Sequence, residues 1–303
     1  MIVWFFYFKQ VTKYKMEETD LFGNPIVKDV LLRDKFLEPP FSVLDTKSGN
    51  WQNRKRQWKQ LGIESHLGRE GVVVINNSFD GEKYGRKGMP EVSIFDPALC
   101  ELIYRWYCPE GGLILDPFAG GSVRGIVANY LGYKYTGIDI RQEQVDSNRE
   151  QALKLLEANK QPQYYVGDSN VVLPELIPIY DLVFSCPPYA DLEVYSEMKD
   201  DLSTMEYNKF IEVYSEIIKK SLSKLKNGCY ACFVVGDIRD KKGYYRDFIS
   251  HTKQAFINAG AGLYNEAILL QPLGTAMLRA GKIFEAGGKL TKVHENVLIF
   301  KKP

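Results

Sequence analysis

The length and charge of this chain restrict what it can do. With 303 residues it can bury one large α/β domain and an appendage. Lys and Arg number 39 against 38 Asp and Glu, which excludes a global basic field, so any contact with nucleic acid must come from a local patch. The apolar run at residues 1–11 is too short to span a bilayer and no signal-peptide cleavage site follows it, so we expect a cytoplasmic protein.

Cysteine and histidine usage argues against disulfides and metals. The five cysteines are an odd number, which favours reduced thiols. Cys229 and Cys232 have the spacing of a redox or zinc pair, but they lie in an apolar run typical of a core strand. The histidines show no metal-ligand spacing, so we predict no metal site.

The chain divides into two regions of different texture. Residues 1–90 are irregular and contain a basic and aromatic stretch from Trp51 to Arg69. From residue 91 to residue 303, helices and strands alternate, which is typical of a mostly parallel sheet covered on both faces. We therefore predict an N-terminal segment, residues 1–90, followed by an α/β domain, residues 91–303.

The predicted elements give an α/β fold. A helix begins after Asp96, which can cap it, with Pro97 in the first turn. The predicted strands are 113–115, 135–138, 164–167, 181–184, 230–235, 263–270 and 297–301. The last two have no predicted helix between them, which indicates an antiparallel hairpin. The fold class is thus a Rossmann-like, seven-stranded, mostly parallel sheet with an antiparallel last strand.

Four polar motifs fall where predicted strands end, which is where open α/β sheets bind ligands. They are Asp116 with the glycines that follow, Asp139, Asp168 and the segment 185–189. Glycines let the backbone approach a ligand, and an acidic residue after the next strand can bind ribose hydroxyls. A glycine-rich turn and a distal acid would also suit a nicotinamide enzyme, so they do not identify the cofactor.

Two motifs together are more specific. Asp116-Pro-Phe-Ala-Gly-Gly121 and Cys186-Pro-Pro-Tyr189 resemble motifs I and IV of the DNA amino-methyltransferases, which methylate N6 of adenine or N4 of cytosine. The run from Ser93 to Tyr107 and the ending from His294 to Phe300 are similar to that family's motif X and closing strand. The chain looks closest to phage and prophage DNA methylases, including its segments 41–45 and 54–58.

The resemblance implies an S-adenosylmethionine-dependent methyltransferase whose partner is DNA, in the cytoplasm of a bacterial or phage-infected cell. On this basis we predict that residues 91–303 are the catalytic domain and that residues 1–90 contact DNA and recognise the target. The residues it assigns to the cofactor are Asp116, Phe118, Ala119, Gly120, Gly121, Ser122, Asp139 and Asp168. Those it assigns to catalysis on a flipped base are Ser185, Cys186, Pro187, Pro188 and Tyr189, with Tyr189 stacking on the base. Asp139 and Asp168 could instead be helix caps at strand ends.

The sequence departs from the family pattern at two positions. Ser122 replaces the second glycine of motif I, and Cys186 replaces the Asp, Asn or Ser before Pro-Pro. A thiol is a weak acceptor, so Ser185 or the Pro187 carbonyl would have to compensate. Alternatively, Cys186 attacks C6 of cytosine for C5 methylation, with Asp191 or Glu193 as the acid. Glu295-Asn-Val297 matches the acid motif of C5 enzymes, but it lies in the last predicted strand.

Two basic segments are candidates for DNA contact. The predicted contacts are Arg54, Lys55, Arg56, Arg279, Lys282, Lys289 and Lys292. The competing interpretations are a solvated helix face with two core tryptophans, and a flexible basic loop after residue 275. Methylation of RNA or of a protein residue, and a catalytically inactive DNA-binding relative, stay open as other functions. A partner endonuclease of a restriction–modification system is not visible in the sequence.

Overall fold

The computed structural model describes residues 35–64, 73–74, 94–189, 193–194, 202, 205–240, 242–274 and 276–303. Of the predicted features, residues 65–69 of the basic stretch, Asp191 and the side chain of Glu193 lie outside the described residues. The chain divides into two compact units, residues 1–40 and 41–303. In the first unit, Lys35 Nζ lies 5.1 Å from the ring centroid of Phe36. The functional division that we predict after residue 90 stays a prediction.

The second unit contains helices and strands in alternation, as predicted. The described helices are α1 (Gly49–Gln60), α2 (Pro97–Tyr107), α3 (Val123–Tyr130), α4 (Gln142–Leu155), α5 (Ser169–Glu175), α6 (Tyr207–Ser223), α7 (Phe248–Asn258) and α8 (Ala276–Gly287). The described strands are β1 (Val43–Asp45), β2 (Val73–Val74), β3 (Leu113–Asp116), β4 (Lys134–Asp139), β5 (Gln163–Val166), β6 (Tyr180–Ser185), β7 (Glu193–Val194), β8 (Leu225–Val235), β9 (Gly262–Leu270) and β10 (His294–Lys301).

The described part of the chain forms one large sheet with the strand order β1-β9-β10-β8-β6-β3-β4-β5. Strands β3, β4, β5, β6 and β8 pair in parallel, and β10 runs antiparallel to both β8 and β9. The antiparallel last strand is therefore confirmed. A separate two-stranded sheet pairs β2 with β7. An antiparallel strand inserted beside an otherwise parallel, doubly wound sheet is the arrangement of the Rossmann-like methyltransferase fold.

Two details differ from the sequence prediction. The large sheet has eight strands rather than seven, because Val43–Asp45 pairs in parallel with Ile268–Leu270 at the edge. Three residues are too few to show the alternation of apolar and polar side chains by which a strand is recognised in a sequence. The expectation that no helix lies between the last two strands was wrong: α8 lies between β9 and β10. None of its residues is buried, although its sequence includes the apolar residues Met277, Leu278 and Phe284, and the sequence analysis took this segment for a loop.

Helix caps and aromatic packing stabilise the face that carries the site. The Asp96 side chain accepts from the Ala98 N–H and Pro97 occupies the first helical position, as predicted. On α6, Phe210 and Tyr214 stack with ring centroids 5.6 Å apart, and both contact Phe248 of α7. This cluster is buried against β8 through Phe233.

No helix in the described ranges is long and apolar enough to span a bilayer.

Candidate active site

Asp116, at the end of β3, is fully buried and holds the loop that follows it. Its Oδ1 accepts from the Phe118 N–H at 3.1 Å and from the Ser185 hydroxyl at 2.5 Å. Its Oδ2 accepts from Arg124 Nε at 2.5 Å and from the Tyr135 hydroxyl at 2.6 Å. The carboxylate therefore ties β3, β4, β6 and α3 together from behind the cavity described below.

Arg124 is a site residue that the sequence analysis missed. Its guanidinium is almost fully buried, pairs with Asp116 and donates from Nη2 to the carbonyls of Phe118 and Ala119. Its charge also lies over the Phe95 ring, 4.7 Å from the centroid. Burial acts to lower the pKa of Arg124, but Asp116 and Tyr135 outweigh it and raise that pKa, so the side chain stays charged. Arg124 was not predicted because it lies in a largely apolar run, residues 123–127, which the sequence analysis assigned to the packed side of a helix.

Asp139 and Asp168 lie at the carboxyl ends of β4 and β5, as their spacing predicted. Asp139 Oδ2 accepts from the Gly120 N–H at 2.8 Å, and its Oδ1 accepts from the Arg141 N–H at 2.9 Å. Gly120 has φ +49°, a left-handed conformation that glycine adopts without strain. Asp168 caps α5 by accepting from the Asn170 N–H at 2.8 Å. Both carboxylates thus have a local structural role and also line the cavity.

The loop after β6 carries the predicted catalytic residues. Ser185 is fully buried and its hydroxyl donates to Asp116, so it points behind the cavity. Cys186, Pro187, Pro188 and Tyr189 line the cavity. Burial, with the nearby Cys186 and Glu295, raises the pKa of Tyr189 well above its usual value, so its hydroxyl remains a donor at neutral pH.

Glu295 and Gln271 enter the same cavity from the last hairpin. Gln271 directly follows β9, and Glu295 is the second residue of β10. The Tyr189 hydroxyl donates to Glu295 Oε1 at 3.1 Å, and Gln271 Nε2 donates to Glu295 Oε2 at 2.7 Å. Because β10 is antiparallel, its first residues lie at the same sheet edge as the carboxyl ends of the parallel strands. The predicted antiparallel direction of the last strand implies that its first residues, including Glu295, lie at the edge of the sheet that binds ligands. The sequence analysis did not draw this conclusion.

These elements surround a cleft with an empty volume of about 1430 Å³, part of which is open to solvent. The predicted site residues that line it are Phe118, Gly120, Asp139, Asp168, Cys186, Pro187, Pro188 and Tyr189. The predicted residues that lie outside its lining are Asp116, Ala119, Gly121, Ser122 and Ser185. Ser122 instead donates to Gln151 Oε1 at 3.0 Å, in the buried interface between α3 and α4.

The basic residues of α1 attach this helix to α2. Arg54 Nη1 lies 3.1 Å from Glu101 Oε1, and Lys55 Nζ lies 2.9 Å from Asp96 Oδ2 at the rim of the cleft. Trp51 and Trp58 are buried, and their indole N–H groups donate to the same two carboxylates. The interpretation of two core tryptophans is confirmed. Arg56 is exposed, and DNA contact by Arg54, Lys55 and Arg56 stays a prediction.

The second basic segment lies on α8 and the loop after it. Lys282 and Lys289 are exposed, whereas Arg279 and Lys292 are half-buried. Burial lowers the pKa of Lys292, opposed by the charges of Asp237 and Glu295. Large apolar side chains on this segment are also exposed: Met277, Leu278, Phe284 and Leu290. Lys292 therefore lies close to the cleft, and DNA contact by the four basic residues stays a prediction.

The described residues contain no cluster of three or more His, Cys, Asp or Glu side chains arranged to hold a metal ion. The cysteines in that part of the chain are free thiols. Burial raises the pKa of Cys100 and of Cys232 well above the usual value, which keeps both protonated. Cys186 is the cysteine that lines the cleft.

The topology defines an α/β protein with a Rossmann-like sheet and a cleft at the carboxyl edge of that sheet. A model of the N6/N4 DNA methylase family matches residues 36–150, from ahead of β1 into α4, and ends before the loop at 185–189. No curated protein sequence matches the chain.

Solved structures of methyltransferases match parts of the chain at low identity. TrmN from Thermus thermophilus is 17% identical with a TM-score of 0.49, over 69% of this chain and 49% of TrmN. Magnesium protoporphyrin IX methyltransferase from Synechocystis is 13% identical with a TM-score of 0.43, over 75% and 93% of the two chains. A TehB-like SAM-dependent methyltransferase from Corynebacterium glutamicum is 14% identical with a TM-score of 0.42, over 83% and 97%. The chain spans about half the length of TrmN.

Proposed function

We propose that this chain transfers a methyl group from S-adenosylmethionine to the exocyclic amino group of a flipped DNA base, N6 of adenine or N4 of cytosine. One observation carries the proposal: four parallel strands end at one cleft and bring Gly120, Asp139, Asp168 and the loop 186–189 together. The match of residues 36–150 to a DNA methylase model supports DNA as the substrate.

The chemistry of the cleft fits this cofactor on the side formed by β3, β4 and β5. Asp139 would accept from the ribose hydroxyls and Asp168 from the adenine amino group. Phe118 and Ile140 would provide an apolar wall. The basic residues that line the cleft are Arg141 and the ion-paired Arg124 and Lys55, and Arg141 would donate to the methionyl carboxylate. The proposed binding of S-adenosylmethionine is supported by these acidic, basic and apolar side chains, which line the same cleft.

The loop after β6 would hold the target base. When bound, the cofactor supplies an electrophilic methyl: the lone pair of the amino nitrogen forms the N–C bond as the C–S bond breaks, leaving its electron pair on sulfur. An exocyclic amino group is a weak nucleophile because its lone pair is delocalised into the ring, so acceptors on its N–H bonds favour the reactive form. Pro187 and Pro188 fix the backbone of the loop, and the Tyr189 ring would pack on the base.

C5 methylation of cytosine is a second candidate, favoured by one specific observation. Cys186 and Glu295 line the same cleft, and C5 chemistry needs a thiolate nucleophile and an acid near cytosine N3. The order Cys-Pro-Pro differs from the Pro-Cys order of the C5 family, so we place this reaction second.

Nucleoside mass spectrometry tests the proposal. The protein is incubated with S-adenosylmethionine carrying a labelled methyl group and with unmethylated double-stranded DNA, single-stranded DNA or RNA. We expect labelled N6-methyladenine or N4-methylcytosine from DNA, formed about 100-fold more slowly by the Cys186→Ala, Tyr189→Ala double variant, because that variant loses the ring that stacks on the base. Labelled 5-methylcytosine would establish the second candidate. Label only in RNA, or in no nucleic acid, would contradict DNA methylation.

The N-terminal segment completes the proposal. We assign target recognition to residues 1–90 and to the basic residues of α8 and its following loop, since α1 and Lys292 lie at or near the cleft. A role in phage DNA modification or in restriction–modification agrees with the sequence resemblance and belongs to the same proposal.

A further inference from the structure

The proposed reaction leaves one position of the site without a good acceptor. The residue before Pro187-Pro188 is Cys186, and a thiol accepts hydrogen bonds weakly. Ser185, its neighbour, is buried and its hydroxyl donates to Asp116 behind the cleft. The amino group of a target base therefore needs a second acceptor from elsewhere in the chain, besides a carbonyl of the loop.

Glu295 lies where such an acceptor is needed. It lines the cleft together with Cys186 and Tyr189, although it comes from β10 and not from the loop. Strand β10 runs antiparallel to β8, which places Glu295 at the edge where the parallel strands end. Glu295 is half-buried, so a ligand in the cleft can reach its carboxylate.

The Glu295 carboxylate is held in place and keeps spare acceptor capacity. Oε1 accepts from the Tyr189 hydroxyl at 3.1 Å, and Oε2 accepts from Gln271 Nε2 at 2.7 Å. A carboxylate has about four lone-pair sites, and these two bonds use two of them. Tyr189 and Gln271 thus fix the orientation of the carboxylate. In the part of the chain that the structure describes, its remaining lone pairs are available to a ligand in the cleft.

We propose that Glu295 is a catalytic residue that replaces the acceptor missing at Cys186. Its carboxylate accepts a hydrogen bond from the target amino group and then takes the proton that the methylated nitrogen must lose. In that step one N–H bond breaks, its electron pair stays on nitrogen, and the proton passes to Glu295 and on to solvent. This role rests on the proposed function, because it requires an amino group as the methyl acceptor.

Four variants test the role of Glu295, and Tyr189→Phe, alone and combined with Cys186→Asp, tests whether Glu295 acts only through Tyr189. Glu295→Gln removes the charge and keeps the shape. Cys186→Asp restores an acidic residue before Pro-Pro, and the double variant combines both changes. Glu266→Gln is the matched control, because Glu266 lies on neighbouring β9, binds Lys253 and Asn296 and does not line the cleft.

The single-turnover rate of DNA methylation and the affinity for S-adenosylmethionine are measured for each. We expect Glu295→Gln to lower the rate about 100-fold, the order found when one preorganised polar group is removed. Cofactor affinity should stay within about twofold of the wild type, which also reports correct folding. In the double variant, Cys186→Asp should recover at least about tenfold of the lost rate, a rescue that a purely structural role for Glu295 does not predict.

Each other outcome decides against the proposal. A Glu295→Gln rate within about threefold of the wild type, with the wild type active, removes Glu295 from catalysis and leaves the proposed function standing. If Tyr189→Phe lowers the rate as much as Glu295→Gln and Cys186→Asp rescues neither, Glu295 only positions Tyr189. An active wild type that forms 5-methylcytosine also overturns the role. A wild type that methylates no DNA base refutes the proposed function, and the inference falls with it.

Discussion

The Tyr189 hydroxyl donates to Glu295 Oε1 at 3.1 Å and joins two parts of the chain that are 106 residues apart in sequence. Tyr189 ends the Pro-Pro-Tyr loop after β6, and Glu295 lies at the start of antiparallel β10. The Tyr189 ring also packs edge-on to Phe248 of α7, with centroids 6.2 Å apart. The orientation of the Tyr189 ring, which ends the predicted Cys-Pro-Pro-Tyr motif, is therefore fixed by contacts with both strand β10 and helix α7.

Substitutions at Tyr189 separate the ring from the hydroxyl. We expect Tyr189→Ala to lower kcat/KM for DNA by about 100-fold, because stacking on a base contributes about 1–3 kcal/mol and the loop also loses its anchor. Tyr189→Phe keeps the ring and should cost only about tenfold, the order of one hydrogen bond to a charged group. Steady-state methylation assays give both values. Equal losses in the two variants would mean that the ring does not contact the base.

Asp139 and Asp168 should carry cofactor affinity. Replacing either by Asn removes the charge from an acceptor, and hydrogen bonds to charged groups contribute about 1.5–3 kcal/mol, so we expect Kd for S-adenosylmethionine to rise at least about tenfold. Isothermal titration calorimetry measures the change. Asp146→Asn is the control, because Asp146 is exposed on α4 and bonds only to its helix neighbours Gln142 and Arg149. An unchanged Kd in both test variants would argue against this cofactor pose.

The buried pair of Asp116 and Arg124 should dominate local stability. Asp116→Ala leaves the Arg124 charge buried without its partner, and breaking such a pair costs about 3–5 kcal/mol. Urea unfolding followed by circular dichroism measures the loss. Glu157→Gln breaks the exposed pair with Lys160 and should change the free energy of unfolding by less than about 1 kcal/mol. A loss of that small size for Asp116→Ala would show that the loop after β3 rearranges to solvate Arg124.

Buried tyrosines predict loss of stability in alkali. Burial raises the pKa of Tyr104, Tyr135 and Tyr164 above the usual value near 10. The folded protein thus keeps these protons while the unfolded chain releases them, so the stabilisation is fully present below about pH 10 and is lost as the pH rises further. Unfolding in urea at a series of pH values from 7 upward should trace this decline.

Tyr164→Phe tests the cause of that decline. The Tyr164 hydroxyl is buried and has no hydrogen-bond partner in the described part of the chain. Its removal should leave the free energy of unfolding at pH 7 unchanged or raise it by about 1 kcal/mol, and should make the loss above pH 10 less steep. If the variant is less stable at pH 7 and its free energy of unfolding falls as steeply above pH 10 as that of the wild type, the Tyr164 hydroxyl makes a hydrogen bond in solution.

The basic side chains after β9 should contact phosphates. Replacing exposed Lys282 and Lys289 together by Ala should weaken DNA binding and reduce the slope of log K against log salt by about two units, since each phosphate contact contributes about 0.9. Fluorescence anisotropy over a salt series measures both. Lys209→Ala with Lys219→Ala is the matched control, because these exposed lysines lie on α6 and pair with Glu212 and Glu216. An equal slope in the test and control variants would exclude α8 from the interface.

The order of elements was predictable because it is a local property. Buried strands are short apolar runs, and the helices between them show an apolar face. Each element can therefore be recognised from its own residues alone. The positions of Asp116, Asp139 and Asp168 followed, because an acidic residue directly after a buried strand marks a strand end. The three-residue strand β1 is too short to show such a pattern and was missed, and α8, whose apolar residues Met277, Leu278 and Phe284 are exposed, was taken for a loop.

Local sequence by itself determined the parallel sheet, its cleft at the carboxyl edge and the two motifs that border that cleft. Tertiary structure alone decided which side chains meet there: Arg124 under the loop after β3, Ser185 turned toward Asp116, and Glu295 brought beside Cys186 by the antiparallel direction of β10. The physical reason is that pattern and propensity act over a few residues, whereas strand pairing and burial join residues that are far apart in the chain.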